Sequence, residues 1–171
     1  SDVEGYTDSG WGGDIDTRRS SAGYTFQYAG GTISSKSTIQ RVVALSSTEA
    51  EYIAICDANT QLIWLRNFIA EIHQKDVQPI ILNIDNKAAK SLSENAVYHQ
   101  RTKHIDIKFH FIRKHIAEGA TLPKWIKSSD NIADIFTKPL SKPTFEKFRT
   151  LLGVKSISDN NSRNYWGGVL E

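Results

Sequence analysis

The chain has 171 residues, enough for one domain with a sizeable core, and its 39% hydrophobic and 23% charged residues match an ordinary globular protein. Its longest apolar runs fall well short of a membrane span and the N-terminus lacks a signal-peptide pattern, which argues against a membrane or secreted class. A net charge of +2 is too small to argue for nucleic acid by itself, and the single cysteine, Cys56, excludes an internal disulfide and suits a reducing intracellular setting.

Strands come first. Tyr6-Thr7-Asp8 leads into a loop with Gly10, Gly12 and Gly13. Ala22 to Tyr28 carries aromatic and β-branched residues at alternating positions, the period of a half-buried strand. Gly30-Gly31 before Thr32-Ile33-Ser34-Ser35 signals a hairpin, and Val42-Val43-Ala44 reads as the end of the third strand. Ser46-x-x-Glu49 is a capping box that opens a long helix, with Glu49 reaching back to the N–H of the cap. Ala54, Ala58, Leu62, Leu65, Ile69 and Ile72 give that helix a core-facing stripe to about His73. Cys56, among apolar neighbours, reads as a buried structural thiol.

Pro79 precedes the apolar run Ile80 to Ile84, the pattern of a strand covered on both faces. Asp85-Asn86 caps a short helix through Leu92, and an irregular connection spans Glu94 to Gln100. Lys103 to Glu118 reads as a helix stopped by Gly119. Ala120 to Ile126 follows as a strand and Asn131 to Thr137 as a short helix ended by Pro139. Pro143 opens an amphipathic terminal helix with Phe145, Phe148, Leu151 and Leu152. From Ser156 the composition turns to Ser, Asn, Asp and Gly, so the expected organisation is a domain over 1–155 and a polar, mobile tail over 156–171. The absence of methionine leads to the expectation of a piece cut from a longer product.

Four acids stand at four separate junctions of these elements: Asp8 in the first strand, Glu51 in the first turns of the long helix, Asp85 at the end of an apolar strand, and Asp134 in a late short helix. Carboxylates gathered onto one surface repel one another unless cations neutralise them. Oxygen-only sites suit Mg²⁺, and two ions about 4 Å apart can carry an in-line attack of water on a phosphodiester. Taken singly, Asp8 also fits a turn, Asp85 a helix cap and Asp134 a first-turn acid facing the helix dipole. Glu49 and Glu51 point to different faces, and the capping box accounts for Glu49, which leaves Glu51 for the site.

Several runs carry a resemblance. Ala44-Leu45-Ser46-Ser47-Thr48-Glu49-Ala50-Glu51-Tyr52-Ile53-Ala54, Arg101-Thr102-Lys103-His104-Ile105-Asp106-Ile107 with Phe109-His110-Phe111-Ile112-Arg113, and Ala133-Asp134-Ile135-Phe136-Thr137-Lys138-Pro139-Leu140 resemble the ribonuclease H domain of copia-type (Pseudoviridae) LTR retrotransposon polyproteins. Gly5-Tyr6-Thr7-Asp8, Gly13-Asp14 and Arg18-Arg19-Ser20 fit its opening, and the likeness runs from about Gly5 to Gly153. It implies an α/β, ribonuclease-H-like fold with a five-stranded mixed sheet flanked by helices. It also implies endonucleolytic cleavage of the RNA strand of RNA–DNA hybrids with two Mg²⁺ ions, for which Mn²⁺ substitutes, leaving 5′-phosphates. Carried over singly, Asp8, Glu51, Asp85 and Asp134 match the family's catalytic and metal-binding acids. The resemblance further implies a place beside reverse transcriptase in one polyprotein, inside a cytoplasmic virus-like particle. Many cellular ribonucleases H carry a histidine in the loop before the last catalytic helix. Here the loop is Lys127-Ser128-Ser129-Asp130, which bears on turnover more than on cleavage.

The stretch from Arg101 to His115 is basic, and Arg101, Lys103, Lys108 and Lys114 are candidate phosphate contacts beside the alternative of a solvated face. Ser9 and Asn86 are candidate contacts to the 2′-hydroxyl that tells RNA from DNA. His99, His104, His110 and His115 lie five or six apart without a cysteine, which argues against zinc. Tyr24, Phe26, Trp64, Phe68, Phe109 and Phe111 are expected in the core. The competing classes are an idle ribonuclease-H-like scaffold from a domesticated retroelement and an integrase on the same fold. All four acids are present against the first, and the Thr-Lys-Pro-Leu ending and the Ser-Ser-Thr-Glu-Ala-Glu-Tyr segment argue against the second.

Overall fold

A computed structural model describes residues 3–94 and 103–155, without the side chains of 92, 94, 103–106 and 109. Five strands form one sheet: β1 (Glu4–Gly10), β2 (Ser21–Tyr28), β3 (Gly31–Ile39), β4 (Ile80–Ile84) and β5 (Thr121–Trp125), in the order β3-β2-β1-β4-β5. The first three are antiparallel neighbours, while β1–β4 and β4–β5 are parallel. The helices are α1 (Ser47–His73), α2 (Lys87–Glu94), α3 (Lys103–Ala117) and α4 (Lys142–Leu151), with a short 3-10 turn at Ser128–Asp130 and a 3-10 helix at Ile132–Phe136. No described helix is long and apolar enough to cross a membrane.

Two apolar clusters sit on the two sides of the sheet. The larger joins Phe26, Ile80, Leu82 and Ile84 to Leu62, Leu65 and Ile69 of α1. The smaller joins Tyr6 to Ile132, Phe148 and Leu152. Alternation along β1 explains the division: Tyr6, Asp8 and Gly10 share one face, and Gly5, Thr7 and Ser9 share the other. β4 is buried almost throughout, and its one polar residue, Asn83, donates its side-chain amide to the Gly5 carbonyl at 3.0 Å and to Glu4 at 2.8 Å.

Local chemistry sets the element ends. The Ser46 hydroxyl accepts from the Glu49 amide at 3.1 Å, but the Glu49 carboxylate accepts from the Leu45 amide at 3.0 Å, one residue before the cap. Gln74, in the left-handed region at φ 50°, stops α1 where expected. Asn86 caps α2 by accepting from the Ala89 amide at 2.9 Å.

Several expectations are corrected. The third strand ends at Ile39, not at Ala44, because its register partner Ser21 is the first residue of β2 and nothing remains for 42–44 to pair with. Val42 and Ala44 instead pack on Ala50 and Ile53. The hairpin turn is Ala29-Gly30, both at positive φ, since Gly31 already pairs with Tyr28. Ile72 closes the α1 stripe on the exposed side, and Trp64 and Phe68 are 56% and 46% exposed, stacked at 5.1 Å on one another rather than buried. Trp64 and Phe68 lie one position before the buried Leu65 and Ile69, so the helical turn places them on the outward side of α1. Likewise Phe145 and Leu151 are exposed, and α4 buries Phe148 and Leu152. The short helix expected at 131–137 is present at Ile132–Phe136, as a 3-10 helix. The connection at 95–100, the tail at 156–171, and the side chains of Phe109 and His104 lie outside the described residues, as do Arg101 and His99.

Two glycines let the 3-10 helix lie flat on the sheet. A Cβ on Gly23 would stand 2.7 Å from Phe136 Cβ and 2.9 Å from Thr137 Cγ2, and one on Gly10 would stand 2.7 Å from the Thr137 carbonyl oxygen. Gly23→Ala is therefore expected to cost about 1–3 kcal/mol of stability by overpacking. Urea unfolding of the variant measures this, and an unchanged midpoint would show that the segment is not pressed onto Gly23.

Candidate metal centre

The sheet register brings the first two acids together. Thr7 pairs with Ile84 across the parallel β1–β4 ladder, so the next residues, Asp8 still inside β1 and Asp85 just past β4, come side by side. This is the carboxyl end of the parallel strands, the edge at which open α/β sheets gather ligands. Asp134 arrives from the 3-10 helix that crosses the Asp8 face of β1. Asn131 holds that helix in register: its Nδ2 donates to the Thr7 carbonyl at 3.0 Å and its Oδ1 accepts from the Ala133 amide at 3.2 Å. One oxygen each of Asp8, Asp85 and Asp134 lies within 4.8 Å of the other two.

Glu51 comes from the opposite side of the sheet. It stands outside that trio, yet near enough for its carboxyl to feel the charges of Asp8 and Asp85. Its Oε1 accepts from the Ser9 amide at 3.2 Å, and its Oε2 is buried without a hydrogen-bond partner among the described residues. Glu49 faces outward on its cap, so the glutamate that turns inward is Glu51.

Asp8 is fully buried, Glu51 is 6% exposed and Asp134 is 9% exposed. Burial pushes the Asp8 carboxyl up to about 7; Asp134 adds repulsion, while Thr137 and Lys138 pull part of the way back. Burial, then the charges of Asp8 and Asp85, holds Glu51 well above the usual carboxylate range. Asp134 is raised chiefly by burial, against the opposing pull of Lys138. A buried carboxylate oxygen with no hydrogen-bond partner among the described residues, beside three converging carboxylates of which Asp8 and Asp134 are held above the usual range, fits a hard divalent cation held by oxygen. Asp8, Asp85 and Asp134 would hold it directly, with Glu51 able to join.

Two neighbours of Asp8 were quoted in the sequence only as part of a motif. The Thr137 hydroxyl donates to Asp8 Oδ2, and Lys138 Nζ stands 3.1 Å from both Asp8 Oδ1 and Asp134 Oδ1. The i,i+4 spacing of Asp134 and Lys138 was the readable signal for half of this arrangement.

The other candidates are placed less simply. Ser9 is buried, its amide spent on Glu51 and its hydroxyl without a partner among the described residues. Asn86 follows Asp85 directly and caps α2. Lys108 pairs with Asp57 at 3.7 Å and lines a cavity of about 470 Å³ with Lys36 and Arg41, and Lys114 pairs with Glu118 at 3.8 Å. The Lys103 side chain is outside the described set, as Arg101 is. The loop without histidine is tied to α4, with Lys147 Nζ 3.0 Å from the Ser129 carbonyl oxygen and 3.5 Å from Asp130.

No family model matches the chain. It is 42% identical over 156 residues, 90% of its length, to the retrovirus-related Pol polyprotein from transposon TNT 1-94 of Nicotiana tabacum. It is 35% identical over 155 residues, 91% of its length, to that from transposon RE1 of Arabidopsis thaliana. The chain spans only 12% and 11% of these relatives. Among solved structures, LC11-RNase H1 in complex with an RNA/DNA hybrid superposes with a TM-score of 0.57 at 19% identity, over 79% of this chain and 93% of that one. The fold is thereby that of ribonuclease H.

The raised carboxyls set a pH dependence. Their folded pKa values exceed the unfolded value of about 4, so the folded chain keeps protons that the unfolded chain has released. The associated stability is present below that value and is lost as pH rises through about 7, the value to which Asp8 is raised. In chelator, denaturant titrations at pH 5.5 and 8 should show this fraction of stability lost at the higher pH, and Asp8→Asn should flatten the difference. An identical pH profile in that variant would contradict the assignment.

Proposed function

We propose, from the premise that the chain is a ribonuclease H domain of the copia-type Pol family of plant-transposon relatives, that it cleaves the RNA strand of RNA–DNA hybrids during reverse transcription of a retrotransposon. The observation that carries this reading is the convergence of Asp8, Asp85 and Asp134, with Glu51 beside them, at the carboxyl end of the parallel strands. Asp8, Glu51, Asp85 and Asp134 would hold divalent cations, Mg²⁺ with Mn²⁺ as substitute. When bound, two such ions supply Lewis acidity at the attacking and leaving oxygens of an in-line hydrolysis that leaves a 5′-phosphate.

The chain's own part is to fix the carboxylates before substrate arrives. The Ser9 amide orients Glu51, the Thr137 hydroxyl orients Asp8, and Asn131 ties the Asp134 segment to β1. Pre-set groups of this kind need no reorganisation at the moment of reaction. Recognition of RNA requires a group that meets the 2′-hydroxyl. Asn86 spends its side-chain oxygen on the α2 cap, which leaves its amide nitrogen as the donor of choice. Substrate phosphates would follow the cavity shared by Lys36, Arg41 and Lys108. In its parent polyprotein the domain would act beside a reverse transcriptase domain, within a cytoplasmic virus-like particle.

Labelled RNA–DNA hybrid, duplex DNA and duplex RNA, each with and without Mg²⁺ or Mn²⁺, test the activity directly. Only the hybrid should be cut, in its RNA strand, and only with metal. Asp85→Asn should lower cleavage by more than about 100-fold while circular dichroism and hybrid binding persist, since a lost ligand costs at least what a lost supporting contact does. Metal-dependent cutting at the wild-type rate in that variant would falsify the site. A separate measurement concerns the basic cavity. Lys108→Gln should weaken hybrid binding and reduce the slope of log affinity against log salt by roughly one. An unaltered slope removes Lys108 from the phosphate path.

A further inference from the structure

We propose that Lys138 is a built-in counter-cation of the acidic centre, holding Asp8 and Asp134 together until a divalent ion displaces it and thereby setting the metal concentration at which the centre fills. The inference rests on the functional reading above and goes beyond it, because it concerns how the site is regulated by its own chain.

The geometry is specific. A single ammonium stands 3.1 Å from an oxygen of each of two carboxylates that come from different elements, one fully buried in β1 and one in the 3-10 helix. Asp8 and Asp134 are two of the three acids whose oxygens converge. A cation that takes those oxygens must therefore compete with the lysine. Both Asp8 oxygens are already engaged, Oδ1 by Lys138 and Oδ2 by Thr137. Glu51 Oε2, by contrast, is buried and has no hydrogen-bond partner among the described residues. Two of the four acids, Asp8 and Asp134, are thus pre-neutralised by the chain, while Asp85 and Glu51 are left for an outside cation.

The lysine's position is built by its surroundings and is not the wandering of a surface side chain. The amides of Thr137 and Lys138 both donate to the Asp134 carbonyl, at 3.1 and 3.0 Å. The carbonyls of Phe136 and Thr137 accept from the hydroxyls of Ser37 and Ser21, at 2.6 and 3.1 Å. Gly10 and Gly23 provide the clearance beneath. The lysine backbone is thereby pinned, while its side chain is 39% exposed and can swing into solvent. A pinned backbone with a charged head that reaches solvent suits a group that must hold the site and then leave it. Arginine would keep the charge on a broader, planar head; methionine would keep the length and remove the charge.

Isothermal titration of Mg²⁺ into wild type, Lys138→Met and Lys138→Arg tests this, alongside melting temperatures in chelator and in saturating Mg²⁺. Without the competing charge, Lys138→Met should bind Mg²⁺ roughly tenfold more tightly, given unit charges a few ångströms apart in a partly solvated site. It should melt lower than wild type in chelator and regain the difference in Mg²⁺, since a ligand that binds only the folded state stabilises it in proportion to affinity. Lys138→Arg should restore the wild-type metal requirement. Mg²⁺ affinity in Lys138→Met equal to or below that of wild type overturns the proposal, and so does Lys138→Arg behaving as the methionine variant does. The broader reading fails on a different result: Asp85→Asn that leaves both metal binding and hybrid cleavage intact.

Discussion

The energetic centre of this domain is a carboxylate that has no water: Asp8 is fully buried in the central strand, with the carboxyls of Asp85 and Asp134 converging on its own. A lone buried carboxylate is costly, and like charges at this distance raise the cost further. The surrounding structure answers with a hydroxyl from Thr137, an ammonium from Lys138 and a rise in the proton affinity of the acids themselves. Each response is a substitute for positive charge. That shared demand is what makes the centre fit a divalent cation, and it does so without reference to any relative.

The sheet supplies the positions, and its two faces supply different partners. Asp8 and Asp85 are neighbours by strand register, so only the β1–β4 ladder has to form correctly for them to meet. Asp134 and Glu51 depend on what packs on each side, the 3-10 helix on one and α1 on the other. Because Glu51 comes around the end of β1 from the far face, it stands apart from the trio and anchors to the Ser9 amide. The small cluster of Ile132, Phe148 and Leu152 therefore matters to the centre as well as to the core, since it seats the segment that carries Asp134, Thr137 and Lys138.

Relationship to transposon Pol polyproteins and the ribonuclease H fold gives this arrangement its context. The solved structure resembles the chain at 19% identity, so what the two share is the scaffold. The lysine bridge and the glycine clearances beneath it are properties read from this chain's own contacts. They suggest a centre whose carboxylates are organised by a resident cation before they meet an external one.

Periodicity and punctuation in the amino-acid sequence were enough to locate the five strands, α1 from its capping box to His73, and the four acids at the element junctions. These are local properties, set by a residue's neighbours within a turn or two of chain. What failed was whatever depended on a distant partner. Val42 to Ala44 looks like strand but has no strand residues of β2 left to pair with. Trp64, Phe68 and Ile72 look like core, yet they stand on the side of α1 turned away from the sheet that Leu65 and Ile69 pack against. The same holds at the centre. That Asp8, Asp85, Glu51 and Asp134 are acids is written in the chain, but that three converge while Glu51 stands aside was decided by strand register and by which face each element covers. Lys138 was visible as a residue four beyond Asp134; its second bond, to Asp8 some 130 positions away, exists only because tertiary packing lays that segment across β1. Short-range spacing is a property of the chain, whereas the meeting of charges from separate elements is a property of the fold.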